Sequence, residues 1–235
     1  MIRISNLRYS YGSSGFQLSI PRLEVSAASK IGIVGPSGSG KTTLLNLISG
    51  AKVPNDGEVE VGGVSVSSMS DSQRRNFRAS QIGFVFQDFE LLDYLTVEEN
   101  VRLPFGINSH LKFGNEQREL LKSLASQAGI SDKLNRRPDQ LSQGERQRVA
   151  ICRALITSPK IVLADEPTGS LDPKTAQEVL NLLIDQASKH AATLMMVTHD
   201  HSLLHRLDRT IDMAEFLESP IDNRVTDTQS REVTP

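Results

Sequence analysis

Eight residues near the start of the chain have the types and spacing of a phosphate-binding loop. Residues 35 to 42 are GPSGSGKT, which fits G-x-x-x-x-G-K-[ST] and has apolar stretches on both sides. The three glycines allow backbone N–H groups to surround an anion at the start of the following helix. Lys41 is expected to reach the β- and γ-phosphates of a nucleotide, and Thr42 to bind Mg²⁺. The expected nucleotide contacts are Gly35, Pro36, Ser37, Gly38, Ser39, Gly40, Lys41, Thr42 and Thr43.

Two acids close a later apolar stretch. Asp165 and Glu166 follow Ile161–Ala164, which has the composition of a buried strand. Ligands of open parallel sheets bind where the strands end, and this pair would lie there. We expect Asp165 to hold the Mg²⁺ hydration shell and Glu166 to polarise the attacking water. The alternative is a solvated acidic pair that begins a turn.

Gln87 and His199 each follow another apolar stretch. At the same sheet edge, each would place a hydrogen-bonding group at the γ-phosphate, although an isolated histidine at a strand end is more often structural. A metal cluster that includes His201 and His205 is disfavoured, because no carboxylate or cysteine completes it. The catalytic candidates are therefore Glu166, His199, Gln87 and Lys41, and the metal candidates are Thr42, Gln87 and Asp165.

Tyr11 is a candidate for contact with a nucleotide base. It lies in the first turn region of the chain, where an aromatic ring can stack on adenine. A partly exposed loop tyrosine needs no such role, so both interpretations stay open.

Alternating strands and helices must position these residues. Short apolar segments between residues 2 and 34 predict small antiparallel strands, with Pro21 separating two of them. Further buried strands are predicted near 82–86, 161–164 and 193–198, with helical patterns between them. We expect an α/β fold: a P-loop NTPase core with a mostly parallel sheet, an N-terminal antiparallel β-subdomain and an α-helical subdomain inserted at about 88–155. This domain would span residues 1–217, with 218–235 a disordered tail.

Composition narrows the class of protein. The 235 residues are 38% apolar and 23% charged with a net charge of −2, so nothing favours a nucleic-acid partner. No apolar run approaches the roughly 18 residues of a membrane span, and the first residues do not resemble a signal peptide. We therefore expect a cytoplasmic protein. The single cysteine, Cys152, excludes an intrachain disulfide.

The segment Leu141–Glu145 has two compatible interpretations. Ser142 followed three residues later by Glu145 is a helix-capping pattern. The segment also resembles the signature pentad of the nucleotide-binding subunits of ATP-binding cassette (ABC) transporters, and the order and spacing of motifs are similar from residue 1 to about 213. The segments that carry this resemblance are Gly35–Thr42, Gln87, Leu141–Ala150, Ile161–Glu166, Ser170–Asp172 and His199.

The resemblance implies ATP and Mg²⁺ as cofactors and a second copy of the chain as partner. In that family, ATP lies between the phosphate loop of one subunit and the signature of the other. Ser142 and Gly144 would thus contact the γ-phosphate across a head-to-tail homodimer, and Asp172 would lie at the dimer seam. A subunit without a membrane span also implies a separate membrane permease, with this chain peripheral on the inner face of the cell membrane.

Within the family, the chain resembles the branch of lipoprotein-releasing, macrolide-exporting and cell-division cassettes. The similar segments are 83–87, 91–101 and 165–172. That branch works with permeases that have large extracytoplasmic domains. The expected function is Mg²⁺-dependent ATP hydrolysis that drives export, lipoprotein release or mechanotransmission.

Two segments depart from the family pattern. The usual pentad is Leu-Ser-Gly-Gly-Gln, whereas this chain has Gln143 and Glu145 at the third and fifth positions. Thr210–Glu215 lacks the usual glycine turn, so we expect a shortened hairpin or a helix there. The alternative function is a non-transport ABC ATPase acting on nucleic acid or the ribosome, which usually carries a second cassette, a coiled coil or zinc cysteines. A scaffold that binds ATP without hydrolysis is disfavoured by Glu166.

Overall fold

The computed structural model of the chain describes residues 1–12 and 16–217. Its strands are β1 (Ile2–Ser10), β2 (Gln17–Val25), β3 (Lys30–Val34), β4 (Asp56–Val61), β5 (Val64–Ser65), β6 (Ile82–Val85), β7 (Ile161–Asp165), β8 (Thr193–Val197) and β9 (Arg209–Asp212). Its α-helices are α1 (Lys41–Ile48), α2 (Asp71–Gln81), α3 (Val97–Ile107), α4 (Asn115–Gln127), α5 (Gln143–Leu155) and α6 (Pro173–Lys189). Short 3₁₀ helices occur at Ser131–Lys133, Pro138–Gln140, His201–Arg206 and Met213–Phe216. The expected disordered tail lies outside the described residues.

A parallel sheet forms the centre of the fold, in the order β6-β7-β8-β3-β9. This confirms the predicted α/β class with a mostly parallel sheet. The inner strands β7 and β8 are almost wholly apolar and buried, as expected when both faces of a sheet are covered. Because the strands run in the same direction, the segments that follow β3, β6, β7 and β8 all lie at one edge of the sheet.

The two faces of this sheet pack into two hydrophobic clusters. In β7, Val162 and Ala164 belong to a cluster with helices α3 to α6. Ile161 and Leu163 belong to a second cluster, which contains α1 and the antiparallel strands. Since successive side chains of a strand point to opposite faces, one apolar strand supplies both clusters.

A four-stranded antiparallel sheet, in the order β2-β1-β4-β5, contains the N-terminal strands. The prediction that Pro21 separates two short strands was wrong, because β2 is continuous from Gln17 to Val25. β2 is an edge strand, where the missing N–H of a proline is tolerated. The pairing of β1 with β2 skips Pro21 and its opposite residue Asn6, whose φ of 50° is left-handed.

Helices α3, α4 and α5 lie between β6 and β7 in the chain. α5 contacts α3 on one side and β6 on the other, so it joins the inserted helices to the parallel sheet. Gly83 permits the close approach of α5, since a Cβ at this position would lie 2.2 Å from the carbonyl oxygen of Ala154.

The last described residues lie beside the phosphate loop. Strand β9 leads into the 3₁₀ helix Met213–Phe216. The sequence predicted a shortened hairpin or a helix in this segment, and the structure has a short helix. Met213 is fully buried, and a Cβ at Gly35 would lie 3.1 Å from its Cβ. None of the described helices is both long and apolar enough to cross a membrane.

Candidate active site

The phosphate loop connects β3 to α1. Three of its glycines have positive φ, and Gly40, at 92°, forms the left-handed N-cap of α1. The Lys41 side chain folds back over the loop, and its Nζ donates to the carbonyl oxygens of Gly35 at 2.9 Å and Pro36 at 3.0 Å. The loop therefore surrounds a buried ammonium group, which places a positive charge where a phosphate would bind.

Asp165, the last residue of β7, meets the first turn of α1. Its carboxylate accepts a hydrogen bond from the Thr42 hydroxyl. Burial raises the pKa of Asp165 above its ordinary value, although the hydrogen bond from Thr42 acts to lower it. The negative charge of Glu166 raises this pKa further, and the positive charge of Lys41 lowers it. A half-buried carboxylate beside a hydroxyl is the oxygen-donor chemistry that Mg²⁺ prefers, so the residues present fit this ion.

Glu166 and His199 form a direct contact at the same sheet edge. Nε2 of His199 lies 2.8 Å from Oε1 of Glu166. The Glu166 backbone has a left-handed φ of 47°, and its N–H donates to the carbonyl oxygen of Val197 in β8. This unusual backbone turns the chain at the end of β7 and is fixed by the neighbouring strand.

Gln87 also lies near Glu166. A Cβ placed on Gly169 would be 3.5 Å from Oε2 of Glu166 and 3.7 Å from Nε2 of Gln87, so both head groups border the same glycine. The structure therefore brings Gln87, Glu166 and His199 together from the ends of three different strands.

Tyr11 lies beside the start of α1. Its hydroxyl and the Thr43 hydroxyl are 3.1 Å apart, and the residue is 39% exposed beside the phosphate-loop helix. Tyr9 packs edge-on against the ring at 5.0 Å, and Nζ of Lys52 lies 5.3 Å from the ring centroid. The position suits contact with a nucleotide base, and stacking itself stays a prediction.

The signature pentad begins α5. Ser142 Oγ accepts the N–H of Glu145 at 3.3 Å, and Oε2 of Glu145 accepts the N–H of Ser142 at 2.8 Å, which is the predicted reciprocal cap. A Cβ at Gly144 would lie 2.4 Å from Cγ2 of Thr175 on α6, so a glycine is required there. Ser142 is exposed. Among the described residues, no hydrogen bond or ion pair joins the pentad to the phosphate loop of the same chain.

Sequence reasoning missed two side chains of α5 that hold the loops of the site. Gln147 is fully buried and donates Nε2 to the carbonyl oxygen of Pro167, one residue after Glu166, at 2.7 Å. Arg153 donates to the carbonyl oxygens of Phe89, at 2.6 Å, and Glu90, in the loop after Gln87. Neither role has a signal in the sequence, because the acceptors are backbone carbonyls of segments far along the chain.

A comparison with protein families decides the identity of this fold. A family model described as ABC transporter matches residues 18–169, more than half of the chain. The chain belongs to the ABC transporter family. This ABC protein is 43% identical over 189 residues to the lipoprotein-releasing system ATP-binding protein LolD of Psychrobacter arcticus, which covers 80% of this chain and 83% of LolD.

The longer relative MacB, a macrolide export ATP-binding/permease protein of Rhodopirellula baltica, is 40% identical over 223 residues. That match covers 92% of this chain but only 32% of MacB, so the ABC chain spans about a third of that protein.

Among solved structures, the dimeric ATP-binding cassette MJ0796 in a post-hydrolysis state with ADP and Pi is similar to this chain. It has a TM-score of 0.80 and 34% identity, and the match covers 90% of this chain and 94% of that one. The chain is thus an ATP-binding ABC ATPase that resembles the LolD and MacB type.

Proposed function

We propose that this ABC ATPase hydrolyses ATP in a Mg²⁺-dependent reaction, as a head-to-tail homodimer that drives a separate membrane permease. The observation that carries the proposal is the contact between Glu166 and His199 at the sheet edge where the Lys41 loop and the Asp165–Thr42 pair also lie. The resemblance to LolD and MacB favours work in export, lipoprotein release or mechanotransmission. The chain would then be peripheral on the cytoplasmic face of the cell membrane.

Within one chain, different residues bind the phosphates, hold Mg²⁺ and accept the proton. Lys41 and the loop N–H groups bind the β- and γ-phosphates. When the nucleotide binds, the Lys41 ammonium donates to phosphate oxygens in place of the carbonyl oxygens of the loop. Thr42, Asp165 and Gln87 would hold Mg²⁺, which neutralises phosphate charge when it is bound. Glu166 accepts a proton from the attacking water, and His199 holds the Glu166 carboxylate in position.

The position of the signature pentad favours a dimer. Ser142 lies exposed at the amino end of α5, where a helix favours an anion, yet in the described part of the chain it has no hydrogen bond to the phosphate loop. A second copy facing this surface would bring its bound ATP against Ser142 and Gly144. The dimeric state of the similar cassette MJ0796 supports this arrangement.

Replacing the proposed base tests the mechanism. Glu166→Gln keeps the size of the side chain but removes the group that accepts a proton, so we expect ATP hydrolysis to fall by about 10²–10⁴-fold. ATP binding should persist and the protein should accumulate as an ATP-bound dimer, measured by size-exclusion chromatography with light scattering. Lys41→Ala is the matched control, because it should weaken ATP binding and leave the protein monomeric. Unchanged hydrolysis in Glu166→Gln would contradict the proposal.

A further inference from the structure

Lys133 contacts the signature helix from outside the pentad. It lies at the end of the 3₁₀ helix Ser131–Lys133, and its Nζ is 3.4 Å from Oε1 of Glu145. The same ammonium is 2.8 Å from Oδ2 of Asp132. The Lys133 side chain is only 16% exposed, whereas that of Asp132 is 68% exposed. Lys133 is thus held between a solvated acid and the partly buried acid of the signature.

Glu145 places a full negative charge at the amino end of α5. Burial acts to raise its pKa, but hydrogen bonds from Ser142 and contact with Lys133 outweigh this and lower the pKa below its ordinary value. Glu145 is therefore ionised at neutral pH. Its Oε2 is bound to the backbone N–H of Ser142, which holds the charge next to the serine that faces the second copy.

Such a charge opposes the binding of a phosphate. An anion at a helix amino end is attracted by the helix dipole, and a neighbouring carboxylate cancels this attraction unless a cation neutralises it. Two nearby cations of α5 have other partners: Nε of Arg146 donates to the carbonyl oxygen of Pro138, and Arg148 pairs with Glu178. Within residues 1–12 and 16–217, Lys133 is the cation that forms an ion pair with the Glu145 carboxylate.

We propose that Lys133 is a positioning residue for the signature: it neutralises and holds Glu145, so that Ser142 and the amino end of α5 can accept the γ-phosphate bound by a second copy. This inference rests on the proposed head-to-tail dimer. The capping geometry itself does not need the charge, since a glutamine at position 145 can accept the same N–H of Ser142. Charge and capping can therefore be separated by mutation.

ATP-dependent dimerisation of the full chain in the Glu166→Gln background tests this role. Lys133→Met keeps the unbranched side chain and removes its charge, so the ATP concentration for half-maximal dimerisation should rise about tenfold. Lys133→Arg should restore the parent value. The decisive variant is Lys133→Met combined with Glu145→Gln, which should return to within about twofold of the parent because the uncompensated charge is gone.

A matched control is available on α4. Lys122 and Glu119 form an exposed pair at 2.9 Å, so Lys122→Met should leave dimerisation unchanged. Thermal unfolding and ATP binding by the monomer verify that each variant is folded. If Lys133→Met is not folded, Lys133→Gln takes its place in the same comparison.

Two results would overturn the inference. One is a Lys133→Met variant that dimerises like the parent, and the other is a double variant as defective as Lys133→Met alone, which would indicate a structural role. If the Glu166→Gln parent itself forms no ATP-dependent dimer, the proposed function fails first, and this inference falls with it.

Discussion

At the residue scale, the site holds a carboxylate where its charged form is disfavoured. Asp165 is the clearest case, because burial raises its pKa and the adjacent Glu166 carboxylate acts in the same direction. The folded state then binds a proton more tightly than the unfolded state. The stability contributed by this difference is present at low pH and is lost as the pH rises from the unfolded pKa through the folded one.

Asp165→Asn should therefore stabilise the nucleotide-free protein at pH 7 while abolishing Mg²⁺-dependent hydrolysis. The amide can still accept a hydrogen bond from Thr42, and we expect the Tm to rise by about 2–4 °C. The gain should shrink as the pH falls through the raised pKa of Asp165 toward its ordinary value of 3.8, and calorimetry from pH 7 down to about pH 4 would measure it. Asp93→Asn, at an exposed position, is the control and should show no gain. A lower Tm for Asp165→Asn would contradict the assignment.

The sequence predicted the site residues unevenly. Lys41, Thr42 and Asp165 could be named as candidates because each belongs to a short pattern whose spacing is set by a phosphate or a metal. Lys133 and Gln147 could not, since their partners are Glu145 and the carbonyl oxygen of Pro167. Contacts between separate segments depend on how elements pack, and no local pattern records them.

At the scale of elements, an apolar groove lies between the parallel sheet and the inserted helices. Its volume is about 650 Å³, and it is lined on one side by β6 and α2 and on the other by α3. Phe84 and Phe86 stack at 4.3 Å between ring centroids, and Ile107 on the opposite wall is 75% exposed. Phe86 directly precedes Gln87, so a segment bound in the groove would act on a residue of the proposed site.

On the proposed function, we expect a cytoplasmic segment of the partner permease to bind in this groove. Ile107→Asp puts a charge into the apolar wall and should abolish co-purification of the chain with its permease from detergent-solubilised membranes. ATP binding by the isolated protein should not change. Val64→Asp, on β5 and 47% exposed, is a matched control that should retain the permease. If Ile107→Asp retains it equally well, the permease binds at another surface.

The α/β alternation was visible in the sequence, whereas strand limits were not. Apolar runs such as Ile161–Ala164 predicted the buried parallel strands, because a strand covered on both faces has no polar positions. The continuity of β2 through Pro21 depends instead on its place at the sheet edge. That place is a property of the assembled sheet and cannot be obtained from the segment alone.

At the scale of the whole molecule, the signature is connected to the catalytic loop of its own chain. Gln147 on α5 binds the carbonyl oxygen of Pro167, and Gly144 packs against Thr175 on α6. In the proposed head-to-tail dimer, each signature would close on the ATP of the other copy. In that proposed arrangement, closure at one ATP would reach the Glu166 loop that serves the other ATP, and α5 would link the two sites.

Disulfide trapping can establish which surfaces meet in the dimer. Cys152 is buried, and burial raises the pKa of its thiol to about 12, so it should not interfere. Ser37 in the phosphate loop and Gln143 in the signature are both exposed.

In the Glu166→Gln background, a chain carrying Ser37→Cys and Gln143→Cys should form covalent dimers under mild oxidation with ATP and Mg²⁺, and far fewer without ATP. Each single-cysteine variant should stay uncrosslinked, because head-to-tail packing keeps like positions apart. Crosslinking of either single variant to a similar extent would instead show that identical surfaces meet, and ATP would then not lie between a phosphate loop and a signature.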